Sequence, residues 1–309
     1  MNKTAFMFPG QGSQYVGMIK SIINLDIVKN TIAYSSKILE INLENIIIYG
    51  PEEKLNNTEI AQPLILTISV AIWKLWNKRN GHIPSVLAGH SLGEYSALVC
   101  NNTISFEDAI KITKKRAELM NLTTKYPASS MMSILGTNVE IIKKIIRKFK
   151  KKSTIVEIAA LNTKRHTVIS GNYESIRDIS RILEINGTKN IMLKINVASH
   201  CKLMLDISEE FKNYIKNISW EIGTIPIINS LNINYNKKKN DIINSLVKQL
   251  YKPIAWLETV KYLEYIGIKK LIECGPNKIL TNLTKRMSKI NCTSLENYQS
   301  LITCLNEQK

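Results

Sequence analysis

The sequence predicts an α/β protein with a mostly parallel sheet, into which a compact β-α-β-β-α-β unit of ferredoxin-like order is inserted. Three observations lead there. Over the first part of the chain, short apolar runs alternate with stretches of helical spacing, the rhythm of parallel strands joined by crossover helices. From Ser129 the rhythm tightens into shorter units in the order strand, helix, strand, strand, helix, strand. Between the two, Gly89-His90-Ser91-Leu92-Gly93 matches G-x-S-x-G, which sets a serine on a tight turn from a strand into a helix.

In chain order, Ala5 to Phe8 reads as the first strand and ends in the loop PGQGSQ. A polar, amphipathic stretch follows, then a helix expected to start at Gln62-Pro63, since proline suits a first helical turn. Its apolar run, IAQPLILTISVAIWKLW, is interrupted by Gln62, Pro63 and Lys74 and reads as a buried helix, not a membrane span. PSVLAGHS is the strand that feeds the serine turn, and LGEYSALVC opens the next helix. In SFEDAIKITKKRAELM, Ser105 and Asp108 stand at capping-box spacing before a helical apolar period. SMMSILG, TIVEIAAL, HTVISG and KNIMLKINV supply the strands of the inserted unit, with NVEIIKKIIRKFK and YESIRDISRILEIN as its helices. PIINSLN, one helix across NSLVKQLYKPIAWLETVKYLEYIG and the strand KKLIECG then restore the α/β rhythm, while NINYNKKKND reads as an exposed loop. The expected division is a core of residues 1–127 and 198–309 with an insertion of residues 128–197.

A chain of 309 residues is long enough to bury a large core. Its first residues lack the zones of a signal peptide, and a cytoplasmic protein is expected. The five cysteines form no CxxC pair, which fits a reducing compartment, and the four scattered histidines offer no metal-ligand cluster, so no metal is expected. The formal charge of +17 suggests an anionic partner. Lys, Asn and Ile crowd the whole chain, however, and the basic runs KKIIRKFKKK and NKKKN read as solvated surface without interleaved aromatics, so nucleic acid is not expected.

A serine hydroxyl is a weak nucleophile until a base takes its proton, so Ser91 requires a histidine. His90 is its neighbour on a sharp turn, where adjacent side chains diverge; His82 sits in the exposed loop NGHIP; His166 starts a strand of the insertion. His200, where the chain leaves the insertion, is favoured. The developing oxyanion requires donors, and the amide of Leu92 after the nucleophile is one. The amide of Gln11 in PGQGSQ is the other, with Gly10 and Gly12 letting the backbone turn sharply. A nucleotide loop is excluded, because Gly10, Gly12 and Gly17 have neither dinucleotide nor P-loop spacing.

FMFPGQGSQYVGM, AQPLILTISVAIW, GHSLGEYSALV, the arginine of KKRAELM, NVASHCKLM, VKQLYKPIAWLETVKYLEYIG and ECGPNKILTNLTKR occur in one order over nearly the whole chain. In them the sequence resembles the malonyl-CoA:acyl carrier protein transacylases of bacterial fatty acid synthesis. The resemblance implies a hydrolase-like α/β core with a ferredoxin-like insertion and a ping-pong reaction. Malonyl-CoA would acylate Ser91, and the ester would pass to the phosphopantetheine thiol of acyl carrier protein. It implies His200 as base and then acid, oriented by the main-chain carbonyl of Gln249 in place of a carboxylate. Arg116 would hold the malonyl carboxylate through its planar fork, with Gln62 and Asn162 beside it in the pocket. Coenzyme A enters as a thioester substrate and no cofactor is bound permanently; a monomer without membrane contact is expected.

The chain departs from the family's usual Asn-x-Asn-Ser-Pro-Gly-Gln, carrying Ala160, Leu161, Asn162, Thr163, Lys164, Arg165 and His166. Ala160 removes the first pocket asparagine, which implies slower turnover. Ser129 and Ala117 stand where glycine is common, and Asn277 replaces the second glycine of Gly-Pro-Gly, a mild change because asparagine tolerates left-handed backbone. Ser199 weakens exclusion of branched acyl groups. Two other functions share the same residues: a hydrolytic thioesterase, which has no use for a carboxylate clamp, and a silent scaffold that binds carrier protein through its basic surface.

Overall fold

Two sheets organise the chain in the computed structural model, which describes residues 3–123, 128–149, 154–195, 197–236 and 238–307. Strand β1 (Thr4–Phe8) is followed by helices α1 (Asp26–Leu39), α2 (Leu43–Tyr49), α3 (Glu52–Asn56) and α4 (Thr58–Lys78). Strand β2 (Val86–Gly89) leads into α5 (Gly93–Cys100) and α6 (Phe106–Leu122). Next come β3 (Ser129–Leu135), α7 (Val139–Phe149), β4 (Val156–Thr163), β5 (His166–Asn172), α8 (Tyr173–Ile185) and β6 (Asn190–Met192). A 3₁₀ turn at Lys202–Met204, α9 (Ser208–Ile215), β7 (Ile227–Ile228), α10 (Lys239–Tyr251) and α11 (Trp256–Tyr265) follow. The last elements are β8 (Lys270–Glu273), α12 (Ile279–Lys285), β9 (Asn291–Ser294) and α13 (Tyr298–Asn306).

One sheet is parallel throughout, in the order β7-β2-β1-β8-β9; the other is antiparallel, in the order β4-β5-β3-β6. The parallel sheet is covered on both faces, which explains the unbroken apolar runs of residues 5–8 in β1 and 86–88 in β2. Phe6, Phe8 and Leu87 point into one core, Ala5, Met7, Val86 and Ala88 into the other, as the two-residue period of a strand requires. In the first core Phe6 meets Trp73 and Trp76 of α4 edge-on, with ring centroids 5.3 and 5.2 Å away. Helix α4 is long and apolar enough by composition to cross a membrane, yet it is mostly buried inside the protein. The register pairs Phe8 with Gly89, so the loop after β1 and the serine turn after β2 emerge side by side at the carboxyl edge of the sheet.

Several elements differ from their expected form. Helix α4 starts at Thr58, capped by Asn57, whose side chain accepts from the amide of Glu59 at 2.9 Å. Pro63 therefore lies inside the helix, where it has no N–H for the carbonyl of Glu59. The expected single helix after PIINSLN is two, α10 and α11, because Pro253 forces Lys252 into extended backbone (φ −117°, ψ 149°). The strands in KNIMLKINV and PIINSLN shrink to Asn190–Met192 and Ile227–Ile228. Strand β9 and helix α13 were not expected; β9 joins the sheet beside β8. The expected division at 127/128 abuts residues 124–127, which lie outside the described residues, as do Lys150–Lys152 of the basic run.

Candidate active site

Three residues reverse the chain between β2 and α5, and the glycines around them allow it. A Cβ on Gly89 would stand 2.1 Å from the amide nitrogen of Glu94, and one on Gly93 would stand 1.9 Å from the carbonyl oxygen of Phe8. The helix start is thus pressed against both central strands. Ser91 at the apex takes left-handed backbone, φ 53°, a strained conformation for a residue with a Cβ, and it remains partly exposed. Gly10, in the neighbouring loop, lies so near that its Cβ would be 2.7 Å from the carbonyl oxygen of His90.

His200 also has left-handed backbone, φ 63°. Its amide donates to the carbonyl of Leu250 at 2.7 Å, its Nδ1 stands 2.6 Å from the carbonyl oxygen of Gln249, and its Nε2 stands 2.8 Å from Ser91 Oγ. A carbonyl only accepts, so Nδ1 carries the proton and the Nε2 lone pair faces the serine hydroxyl. The carbonyl of Gln249 is free for this because its helical partner, four residues on, is Pro253, which has no N–H. Burial and then the charge of Arg116 push His200 down to about 3, despite its bond to the Gln249 carbonyl, with His90 adding to the depression. The imidazole is neutral at physiological pH.

Arg116, on α6, is 2% exposed. Its Nη1 donates to Gln62 Oε1 at 2.6 Å and its Nη2 lies 3.4 Å from Ser91 Oγ. Neither neighbour is an acid, and Nε has no acceptor among the described residues. Burial opposes its charge, while Tyr95 and the carboxylate of Glu94 act the other way. A cavity of about 270 Å³ adjoins Ser91, and Gln11, Leu92, Arg116, Asn162 and His200 all face it. Gln62 does not: it is fully buried behind Arg116 and reaches the cavity through that residue and, by way of Thr58, through Gln11, a correction to its expected place on the pocket wall. Gln249 likewise acts from behind His200. The amides of Gln11 and Leu92 have no acceptor among the described residues; the Gln11 side chain instead accepts from Thr58 Oγ1 at 2.7 Å.

The remaining histidines fall into different places. His82 is exposed. His90 stands at the cavity, edge-on to Trp256, with Nε2 2.9 Å from Asn162 Oδ1, so it orients Asn162 and leaves Ser91 to His200. His166 does more than start a strand: it also lines the cavity, with Nε2 2.8 Å from Ser133 Oγ. Burial pushes it down to about 4, aided by His90 and Arg286. The signal was its departure from the glutamine of the family pattern. Ala160 lies on the cavity wall between two irregularities of β4, where the strand also bridges to Ile254. Asn277 takes the left-handed backbone (φ 68°) that its glycine-like position requires.

A hydroxyl presented in this way to a neutral imidazole is machinery shared by esterases and acyltransferases, and its place on an α/β sheet points to the acyl-transfer class. Residues 5–291 match the family described as "Acyl transferase domain". Malonyl CoA-acyl carrier protein transacylase of Buchnera aphidicola is 36% identical over 305 residues, 98% of each chain, and that of Bacillus subtilis is 35% identical over 94% of this chain and 92% of its own. The solved structure of the malonyl CoA-acyl carrier protein transacylase from Coxiella burnetii superposes with a TM-score of 0.94 at 35% identity, covering 99% of this chain and 97% of that one. A malonyl-transacylase solved in complex with a type II PKS acyl-carrier protein superposes with a TM-score of 0.95 at 34% identity and 99% coverage of both. The chain belongs to the malonyl CoA-acyl carrier protein transacylase family and is an acyltransferase.

Proposed function

We propose that the protein transfers a malonyl group from malonyl-CoA to the phosphopantetheine thiol of an acyl carrier protein, supplying fatty acid synthesis, through an ester on Ser91. The observation that carries this reading is Arg116: a buried cation beside the nucleophile with no acidic neighbour bonded to it. A buried cation with no carboxylate bonded to it is costly, since Glu94 acts on it only through space, and a free carboxylate on the acyl group supplies the bonded partner when substrate is present.

In the first half-reaction His200 Nε2 takes the proton of Ser91 Oγ as the oxygen attacks the thioester carbonyl. The amides of Gln11 and Leu92, free of other acceptors among the described residues, stabilise the tetrahedral oxyanion. Collapse breaks the carbon–sulfur bond, and the proton on Nε2 leaves with the thiol of coenzyme A. The carrier thiol then reverses the sequence: Nε2 removes its proton, sulfur attacks the ester, and the proton returns to Ser91. Gln62 fixes Arg116, and His90 fixes Asn162 toward the bound acyl thioester. Coenzyme A is a substrate here, not a resident cofactor.

The same reading takes the parallel sheet as a hydrolase-like core of residues 1–127 and 198–309. It takes residues 128–197 as a ferredoxin-like insertion, a reading that the antiparallel sheet order β4-β5-β3-β6 supports. It also takes the protein as a cytoplasmic monomer; the five cysteines are unpaired and buried, as a reducing compartment allows. Mixing the protein with malonyl-CoA and pantetheinylated carrier protein, and following both intact masses, tests the function. Malonyl should appear on Ser91 and then on the carrier. Free malonate released at a rate the carrier does not change marks a hydrolase, and binding of carrier with no mass gain on Ser91 marks a scaffold.

A further inference from the structure

Glu94 stands three residues after the nucleophile, in the first turn of α5, and is 2% exposed. It does not face the Ser91 cavity; it borders a separate one of about 360 Å³. Three donors converge on its Oε2: Gln249 Nε2 at 2.8 Å, Ser230 Oγ at 2.9 Å and the Ser230 amide at 3.4 Å. Gln249 Nε2 also donates to Ser230 Oγ at 3.2 Å, while Gln249 Oε1 has no partner among the described residues. The Gln249 side chain is therefore held by its amino end alone. On its main-chain side, Glu94 donates from its amide to the carbonyl of Ser91 at 3.1 Å. One residue thus grips the elbow with its backbone, and with its carboxylate grips the residue whose carbonyl orients His200.

We propose that Glu94 is a positioning residue that ties the Ser91 elbow to the Gln249 carbonyl, and through it sets the distance and angle between Ser91 and His200. The proposal rests on the reading of Ser91 and His200 as nucleophile and base. A serine–histidine pair oriented only by a main-chain carbonyl at a helix end has no side chain of its own to hold that end in place. The Glu94–Ser230–Gln249 network supplies the hold, and a network of this kind works as a unit, so that removing any member loosens the whole. Burial pushes Glu94 up to about 7, against bonds from Ser230 and Gln249 and the charge of Arg116. Its role therefore rests on an acceptor oxygen in the right place, which both protonation states and a glutamine supply.

Three variants test this: Glu94→Gln, Glu94→Ala and Gln249→Leu, the last keeping the main-chain carbonyl but not the amide it hangs from. Rapid-quench mass measurement of Ser91 acylation gives the rate and its malonyl-CoA dependence; proton NMR reads the His200 Nδ1–H. Glu94→Ala and Gln249→Leu should each lower the maximal acylation rate about ten- to a hundredfold, with KM within about twofold, and should shift or broaden the Nδ1–H signal. Glu94→Gln should stay within about threefold of wild type, and the Glu94→Ala/Gln249→Leu double variant should be no slower than the slower single one. A folded Glu94→Ala protein with wild-type rate, or Glu94→Gln as slow as Glu94→Ala, overturns the proposal. Should Glu94→Ala not fold, Gln249→Leu with an unchanged rate and Nδ1–H signal overturns it instead. If wild-type Ser91 takes up no acyl group, the catalytic reading fails, and the Nδ1–H signal alone then decides whether Glu94 positions His200.

Discussion

Replacing Arg116 by alanine separates recognition of the malonyl carboxylate from acyl transfer in general. The guanidinium is held on one side, where Nη1 donates to Gln62, and open on the other, where Nη2 reaches to 3.4 Å from Ser91 Oγ at the cavity. A carboxylate entering the cavity meets that open side. One charge-assisted hydrogen bond there is worth about 1.5–3 kcal/mol, and at about 1.4 kcal/mol per tenfold this amounts to a preference for malonyl over acetyl of about ten- to a hundredfold. Because Nη2 also approaches Ser91, acetyl transfer falls too, so the diagnostic quantity is the ratio of the two acylation rates.

The fold should tolerate the change. The variant leaves Gln62 Oε1 unpaired, a loss of about 1–3 kcal/mol, while removal of a buried cation relieves a desolvation cost of the same order or more. A melting shift of no more than about 2–4 °C is expected. Ser91 acylation by malonyl-CoA and by acetyl-CoA, followed by quenched intact-protein mass, gives the ratio directly. Arg116→Lys keeps the charge but not the planar fork and should fall between wild type and alanine. Equal loss for both acyl groups refutes the clamp, and with it the argument that an unpaired buried cation marks this substrate class.

Four further outcomes follow from the site and the charge of the chain. Ser91 acylation should hold its rate from pH 7 down to about pH 5, because His200 is pushed down to about 3 and stays neutral; an acid limb centred near the free imidazole value of about 6.5 refutes this. The unfolded chain takes up that proton near 6.5 and the folded one only near 3, so this group's contribution to stability is full above the upper value and lost as pH falls through the window. Denaturant midpoints of wild type and His200→Asn should accordingly converge on acidification. Gly93→Ala drives a Cβ to 1.9 Å from a backbone oxygen that cannot rotate away, so it should destabilise by about 1–3 kcal/mol or more and slow acylation, both read on one preparation by melting and quenched mass. With a net charge of +17, the step that engages an acidic carrier should weaken with added salt far more than acylation by malonyl-CoA; equal salt dependence in stopped half-reactions argues against electrostatic docking.

What was legible in the sequence was what local chemistry dictates. The serine turn needs two close-packed glycines around a left-handed residue, so its pattern is written in five consecutive positions, Gly89 to Gly93. The cap of α6 is equally local: Ser105 accepts from the amide of Asp108 at 3.0 Å, as its spacing indicates. Gln62 and Pro63 misled because proline at a helix start is a statistical preference, and the true start carried a competing signal in Asn57, with Glu59 in the first turn. His166 and Gln62 owe their places to contacts across the fold, with Ser133 and Arg116, which no spacing reveals.

The break between α10 and α11 lies between these cases. Pro253 is visible as a helix breaker, but its consequence is not, because what matters is the carbonyl four residues earlier. In an unbroken helix that carbonyl would be spent on an amide, and His200 would have to compete for it. Proline removes the competitor, so the Gln249 oxygen meets Nδ1 at 2.6 Å. The oxygen still moves with the helix end that carries it. An Asp–His pair locates its acceptor through a side chain packed in the core; here the acceptor belongs to the last turn of a helix, and its position is only as good as the contacts on that turn. Those contacts include the His200 amide on Leu250, the Ile254 amide on Ala159, the bond from the Gln249 side chain to Ser230, and its bond to Glu94. Only the last returns to the helix that begins at the nucleophile, which is why a glutamate inside the GHSLGEY stretch, and not an aspartate elsewhere in the chain, has the means to hold base and nucleophile in register.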